Sequence, residues 1–570
     1  VKGNLKYYDD CARLIRMFSL EKMHRFLNPR YEDTNSPMSD ESSKIEDEKL
    51  EKTPSVVKTE VLPDFEKRHI LLGMAAVFRH ADRTPKQKLK FTSNHHLLLE
   101  FFKDSRKEVK LKKSAQLNKI LETIQKILED IGPHKKFRLV AEILKAEVPG
   151  TKFQLKPETI VASDVVDVRV ILKWGGAITD AGCRQCHQYG PIFREEMLRG
   201  TPDERKGFLR GMQVWTSDEK RVKETAKHFV TSFLFNEKIP EESLHYGKTT
   251  QYLLDDISKA DSLIKTAKKT IVKIVSQSST DLSLLGLQEV TDPLYEDNSP
   301  WIRYSLKKML NPAKRLQSVR NLLPELLKRI DEKLELNPNE MAFGDEPLRT
   351  MRKRWDILFR DLYDVESEEF NPTKLPDLYD CLRYDVLHNP EFLNGIEKLY
   401  YEAKCIADFV VSAEYGISNQ QKHQIGALIA GPLLKRIISN LDACRSRTSA
   451  DSRVFLYFTS ESYLHALKNI LLHSKIASNA VVAESVDAME LAYLTHGVIR
   501  LFEDPSRDPS DPMHLYVSIM FSSGATSDPF ACTDEYSMLP VNVPLPLNGR
   551  LSYSSFRKQI GKSLAMADAH

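Results

Sequence analysis

The apolar positions of this chain change period several times, and those changes outline its architecture. Ile70-Leu71-Leu72-Gly73-Met74-Ala75-Ala76-Val77-Phe78 is an unbroken apolar run of strand length, which predicts a buried strand. Before it, an amphipathic stretch from Tyr7 to Phe26 gives way at Tyr31 to Asp, Glu, Ser, Thr, Lys and Pro. That composition cannot bury enough surface to offset chain entropy, so a flexible acidic linker is expected to about residue 64. Between 86 and 172 short runs predict strands near 88–92, 108–111, 152–155 and 165–172. Helices are expected near 95–103, 115–130 and 137–146, with Gly132-Pro133 and Pro149-Gly150 as breaks. A helix from Thr179 to about Leu198 follows, then a strand at 213–216 and a helix capped by Ser217-Asp218-Glu219. From about 243 to 439 nearly everything has helical period. Apolar runs at 454–458, 491–502 and 515–521 return to strands, and 528–570 reads as a Pro-rich surface strap. The pattern is that of an α/β protein with a central, mostly parallel sheet, a large helical insertion and a small α+β inserted module.

Composition narrows the function classes. Net charge is only +3, so no global nucleic-acid footprint is present. Locally the balance differs: Lys86, Lys88, Lys90, Lys103, Arg106, Lys107, Lys110, Lys112 and Lys113 crowd together with few acids between them. A solvated face and a positive funnel for a polyanion are both open readings. Seven scattered cysteines, no secretory signal and no apolar run of transmembrane length predict reduced thiols and a cytoplasmic location.

The chemistry concentrates in Arg79-His80-Ala81-Asp82-Arg83-Thr84-Pro85, directly after the first strand. A histidine at the C-terminal end of such a strand lies where α/β sheets place ligands. Guanidinium forks match phosphate oxygens in pairs, and a neutral imidazole between two of them can attack phosphorus and carry the phosphoryl group. Arg221, just inside the helix after Gln213–Thr216, is a third candidate cation. His465, in Phe458-Thr459-Ser460-Glu461-Ser462-Tyr463-Leu464-His465, is a second candidate histidine at another strand-to-helix junction.

These residues resemble a known signature. Arg79 to Pro85 is similar to that of the histidine acid phosphatases, the phytase-like branch. With Lys86-Gln87-Lys88-Leu89-Lys90 it resembles more closely the phosphatase half of the bifunctional diphosphoinositol pentakisphosphate kinases, the Vip/Asp family. Leu172-Lys173-Trp174-Gly175-Gly176 with Thr179-x-x-Gly182, Ser217-x-x-x-Arg221-Val222, Phe458-Thr459-Ser460-Glu461-Ser462 and Tyr379-Asp380-Cys381-x-x-Tyr384-Asp385-x-x-His388-Asn389 look like further family segments, in order. The resemblance implies a histidine phosphatase core at 65–85, 173–240 and 440–530. It places an inserted module, GAF-like being one candidate, at 86–172, a helical domain at 241–439 and a strap at 531–570. Residues 1–30 resemble the end of a kinase domain, which implies a kinase partner on the same polypeptide; no Walker-type loop occurs in the chain, so no kinase activity is expected from it.

Carried over residue by residue, the resemblance implies His80 as nucleophile, Arg79, Arg83 and Arg221 as the phosphoryl cage, and His465 as a donor to the developing charge. It implies an inositol pyrophosphate as substrate, cut at its 1-diphosphate to release orthophosphate. Lys86, Lys88, Lys90 and Lys173 are then candidate contacts to other ring phosphates, while for Arg303 and Arg352 in the helical domain the same cavity and a solvated helix face are both open readings. Two departures matter. Ala81 stands where glycine is commoner, and Ala466 follows His465 where phytases carry an aspartate acid. Expelling an alkoxide needs a proton, whereas a phosphate leaves readily as an anion, so the missing acid favours a diphosphate. Asp82 and Glu461 remain candidate donors. The chemistry requires no metal, although Cys381, His388 and Cys405 could meet and hold a structural zinc. Cys183-x-x-Cys186-His187 has ligand spacing but reads as helix-core thiols. A phytase-like monoesterase and an inositol polyphosphate sensor are the competing readings.

Overall fold

The computed structural model describes residues 69–161, 164–198, 201–235, 240–247, 250, 254, 256–276, 309, 311–446, 453–477, 486–487, 490–531 and 538–568. The expected kinase remnant and acidic linker, Arg303 and part of the helical block lie outside them.

An eight-stranded sheet organises the chain. Across it run Leu545–Pro546, Leu515–Ser522, His496–Glu503, Ile70–Arg79, Val454–Thr459, Gln213–Thr216 and Leu244–His245, with Leu551–Ser552 pairing Leu515–Ser522 off that path. Ile70–Arg79, Val454–Thr459 and Gln213–Thr216 are mutually parallel. The His496–Glu503 side is antiparallel. The sheet is therefore mixed rather than mostly parallel: the strands from Ile70–Arg79 through Leu244–His245 pair in parallel, and those on the other side of Ile70–Arg79 pair antiparallel. Ile70–Arg79 sits at the junction of the halves, which explains its apolar run. Ala75 and Val77 point to one helical layer, Met74, Ala76 and Phe78 to the other. A register shift between Leu71 and Gly73 resets the alternation upstream.

Helices Asp180–Met197 and Lys220–Phe233 cover one face, and Asn419–Ala443, Glu461–His473 and Tyr553–Asp568 cover the other. Two expectations are corrected here. Asn419–Ala443, read as the end of the helical block, packs on the main sheet. The supposed strap contains the helix Tyr553–Asp568, whose Tyr553, Phe556, Ile560 and Leu564 enter the same core. The strand expected at 491–502 also begins later, at His496; residues 490–495 form a turn at the site.

Residues 87–174 build a separate antiparallel sheet, ordered Gln87–Ser93, Asp164–Trp174, Lys152–Val161, Val109–Leu111. Its alternation is strict: Leu89, Phe91, Phe153, Leu155, Val170 and Leu172 face the helices Ser114–Ile131 and Lys135–Lys145. The opposite face carries lysines. Helices Asp261–Val275, Pro312–Leu336, Leu348–Leu362, Leu375–His388 and Lys398–Ala413 enclose another core, centred on Trp355.

Candidate active site

Parallel pairing brings three sequence-distant junctions to one edge of the main sheet. Arg79 and His80 end the first strand, Thr459 to Glu461 leave the second, and Thr216 to Arg221 leave the third. The signature loop is pinned through its backbone: Arg79 N–H donates to the Thr495 carbonyl at 2.8 Å and His80 N–H to that of Thr459 at 3.2 Å. Ala81 N–H donates to Thr225 Oγ1 at 3.0 Å. Ala81 is fully buried without positive φ, so the methyl group in place of the commoner glycine causes no backbone strain. Gly182 is needed instead: a Cβ there would come within 2.6 Å of the Asp82 carbonyl oxygen.

His80 Nδ1 donates to the Ala81 carbonyl at 2.9 Å, which fixes the tautomer and leaves the lone pair on Nε2. Burial, then Arg221, Arg79 and Arg83, hold its pKa well below 6.5. The ring is therefore neutral and nucleophilic at neutral pH. His80, Arg79, Arg83, Arg221 and His465 are all more than nine-tenths buried.

Each arginine is oriented by a carboxylate. Arg79 meets Glu461 at 2.5 Å and donates to the Leu491 carbonyl. Arg83 forms a fork with Asp380, at 2.8 and 3.3 Å. Arg221 pairs with Glu219. Ser217-Asp218-Glu219 does not cap its helix as expected. Glu219 occupies the N-cap position without a side-chain cap bond, its carboxylate being taken by Arg221 and Lys86. His465 stacks on Tyr415 at 4.6 Å, 3.6 Å from Glu461, and burial lowers its pKa to about 4.

Neither candidate acid has a proton to give. Burial raises the Glu461 carboxyl, but Arg79, His465 and Arg83 together outweigh it and the pKa falls to about 2. Asp82 accepts from Thr179 Oγ1 at 2.6 Å and pairs with His388 Nε2 at 2.7 Å. Burial again opposes ionisation, but His388, Thr179 and Arg83 together outweigh it, so Asp82 is also held below its ordinary range.

This pairing also corrects the zinc expectation. His388 serves Asp82 and stacks on Phe343 at 4.3 Å, Cys381 faces Gln87 Nε2 at 3.6 Å, and Cys405 lies in the helical core. Cys381, His388 and Cys405 do not group as ligands among the described residues. Cys186 is buried in the sheet-and-helix core, as its helical position suggested.

Sequence reasoning missed two members of the site. Tyr493 lies 4.8 Å below the Arg79 guanidinium and 5.8 Å from the His80 ring, and its hydroxyl reaches Asp380 at 3.4 Å. Asp380 was visible only as part of a family segment. Its helix, Leu375–His388, also supplies Arg383, which pairs with Glu490 beside Leu491 and Tyr493.

Beyond the arginines opens a cavity of about 1500 Å³ between the small sheet and the helical domain. Lys86, Lys88, Lys90, Lys152, Lys173 and Arg221 are on its wall. Lys88 stands directly across from Lys173, and Lys173 from Lys152, on three adjacent strands. Arg352 is not on that wall; it binds Asp331 at 2.7 Å on its own side of the helix, and its neighbour Lys353 faces the cavity instead.

Residues 70–522 match the histidine phosphatase superfamily (branch 2). The chain belongs to that superfamily. Among similar proteins are the human inositol hexakisphosphate and diphosphoinositol-pentakisphosphate kinase 2, 29% identical over 92% of this chain and 46% of the relative, and the Saccharomyces cerevisiae kinase of that name, 25% identical over 93% and 49%. The chain spans about half the length of these curated relatives. Among solved structures, a Hafnia alvei phytase with myo-inositol hexakis sulphate aligns over 88% of this chain and 98% of its own, at 11% identity and TM-score 0.39. No helix among the described residues is long and apolar enough to cross a membrane.

Proposed function

We propose that this histidine phosphatase is an inositol pyrophosphate phosphatase, removing the β-phosphate of the 1-diphosphate through a phosphohistidine on His80. The observation that carries this reading is the combination of a neutral, arginine-caged imidazole with two candidate acids, Asp82 and Glu461, that are both held ionised. His80 Nε2 attacks the terminal phosphorus while Arg79, Arg83 and Arg221 take the charge on its oxygens. His465 is read as a donor to the same group. Water then attacks phosphorus, the N–P bond breaks with its electron pair returning to Nε2, and orthophosphate leaves. With neither Asp82 nor Glu461 protonated, departure of an alkoxide is unassisted by them, whereas a phosphate departs as an anion.

The cavity supports a highly charged substrate. Like charges directly opposed across strands are destabilising. The Lys88–Lys173–Lys152 row is therefore understandable as a surface relieved by a polyanion. The names of the curated relatives, kinases of inositol hexakisphosphate and diphosphoinositol pentakisphosphate, agree with that chemistry. A kinase domain on the same polypeptide is the expected partner, and orthophosphate, which fits the same cage, the expected competitive inhibitor.

The test is orthophosphate release from 1-diphosphoinositol pentakisphosphate and from inositol hexakisphosphate. We expect turnover of the diphosphate, little of the hexakisphosphate, and a loss of more than about 1000-fold in His80→Ala. Comparable rates on both substrates would make the chain a phytase-like monoesterase. Tight binding of both without turnover would make it a sensor.

A further inference from the structure

We propose that Lys86 is a catalytic residue rather than one more ring-phosphate contact, its ammonium meeting the charge that develops on the phosphate expelled when His80 is phosphorylated. This rests on the diphosphatase reading above and answers what that reading leaves open: which group serves the leaving phosphate when the candidate acids Asp82 and Glu461 are both ionised.

Lys86 stands where the arginine cage meets the lysine-lined cavity. It follows Pro85, three residues after Arg83, and shares the cavity wall with Arg221. Its stem lies on Gly176, whose φ is +73° and whose missing side chain makes the room. A Cβ there would come within 2.9 Å of Lys86 Cγ. Its Nζ is 3.2 Å from Glu219 Oε1, the carboxylate that also orients Arg221. One acid thus aims one cation at the transferring phosphoryl group and another at its far side. About half of the lysine side chain is exposed, and Lys86 is on the cavity wall. Lys88, Lys90 and Lys173 lie farther along the small sheet, on strands that begin or end beyond the loop.

The step balances without proton transfer. The Nε2–phosphorus bond forms, the bond from phosphorus to the bridging oxygen breaks, and its electron pair stays on that oxygen. The bridging oxygen becomes a terminal oxygen of the ring-bound monophosphate, and Lys86 donates a hydrogen bond to it. The second step takes up one water, and both its protons leave with the orthophosphate.

The charged groups facing Lys86 make its titration informative. They are Glu219 and Arg221 from one helix start and Arg83 from its own loop; Lys152, on the same cavity wall, acts on the same Glu219 and Arg221. Partial desolvation at the cavity wall, then Arg221, outweighs Glu219 and lowers the pKa of the ammonium to about 8. Its charge is therefore lost on the alkaline side of neutrality, and kcat should fall there.

The experiment compares wild type, Lys86→Met and Lys86→Arg on 1-diphosphoinositol pentakisphosphate and on p-nitrophenyl phosphate, whose phenolate departs unaided, across pH 6 to 9.5. For Lys86→Met we expect kcat on the diphosphate to fall about 100-fold, with KM changed less than about threefold and aryl-ester turnover barely altered. Lys86→Arg should retain most of the rate at pH 7 and lose the alkaline limb, because arginine does not titrate in that range. A raised KM at unchanged kcat in Lys86→Met would return Lys86 to the ring-phosphate contacts and overturn the proposal. So would an alkaline limb that persists in Lys86→Arg. Absence of diphosphate turnover in wild type would refute the underlying reading instead.

Discussion

The arginine cage and the lysine-lined cavity adjoin at Arg221 and Lys86, yet they handle positive charge in opposite ways. In the cage every guanidinium is buried and has its own carboxylate: Glu461 for Arg79, Asp380 for Arg83 and Glu219 for Arg221. In the cavity Lys88, Lys173 and Lys152 confront one another across strands. Planar forks that are themselves buried and each held by a carboxylate cannot drift, so their donors are aimed before the reaction begins. Lysines on flexible stems define no geometry, but they raise the potential seen by a polyanion approaching from any angle. One region is built to stabilise a transition state, the other to gather a ground state. Damage to the first should therefore appear in kcat and damage to the second in KM.

Arg221→Met breaks the cage most severely. We expect kcat to fall about 100- to 1000-fold, the usual loss for one donor to a developing anion. The acid limb should move as well. His80 must be neutral to attack, so activity is lost as pH falls through its pKa. Burial, then Arg221, Arg79 and Arg83, hold that pKa below 6.5, so wild type should remain active below pH 6.5. Removing Arg221 raises the pKa and shifts the limb to higher pH. A pH–rate profile of both enzymes decides it: an unmoved limb would mean that Arg221 does not face the nucleophile.

Asp380→Asn is the milder break, because it leaves every arginine in place. The amide offers only one acceptor to the Arg83 fork, now bonded at 2.8 and 3.3 Å, and weakens the hold on the Tyr493 hydroxyl. Misplacing one donor without removing it should reduce kcat about 10- to 100-fold, with KM little changed. Steady-state kinetics on the diphosphate would show the split, and a loss confined to KM would make the Asp380 contact incidental.

The two regions were unequally legible in the sequence. His80 and its flanking arginines could be found because a strand end fixes where they lie, and Arg221 and His465 because each follows a parallel strand. The partners that aim them were harder to see. Asp380 arrives from a helix 297 positions away along the chain, and Tyr493 from a turn that apolar composition disguised as strand. Long-range contacts of that kind leave no local period. The zinc expectation failed for a related reason: spacing cannot tell that His388 points at Asp82. The helix at Tyr553–Asp568 did leave a signal, apolar residues at 553, 556, 560 and 564, obscured by Pro540, Pro544 and Pro546 just before it. Strict alternation made the small sheet readable almost strand by strand, although which face held the cavity depended on tertiary packing.

Lys173→Glu probes the cavity alone and should give the smallest effect. Lys173 sits mid-row between Lys88 and Lys152, away from the signature loop, so reversing its charge removes attraction without moving any cage donor. Single exposed charge contacts contribute at most about 1 kcal/mol, so KM for the diphosphate should rise about fivefold while kcat holds. Salt gives an independent reading of the same contrast. Open-cavity charges act through solvent and are screened over about 10 Å at 0.1 M ionic strength, whereas the buried, paired cage is screened far less. Raising sodium chloride from 50 to 300 mM should therefore increase wild-type KM and leave kcat nearly level, with a shallower dependence in Lys173→Glu. If kcat fell with salt as steeply as KM rose, the two regions would not be separable, and the lysines would have to be counted as part of the catalytic cage itself.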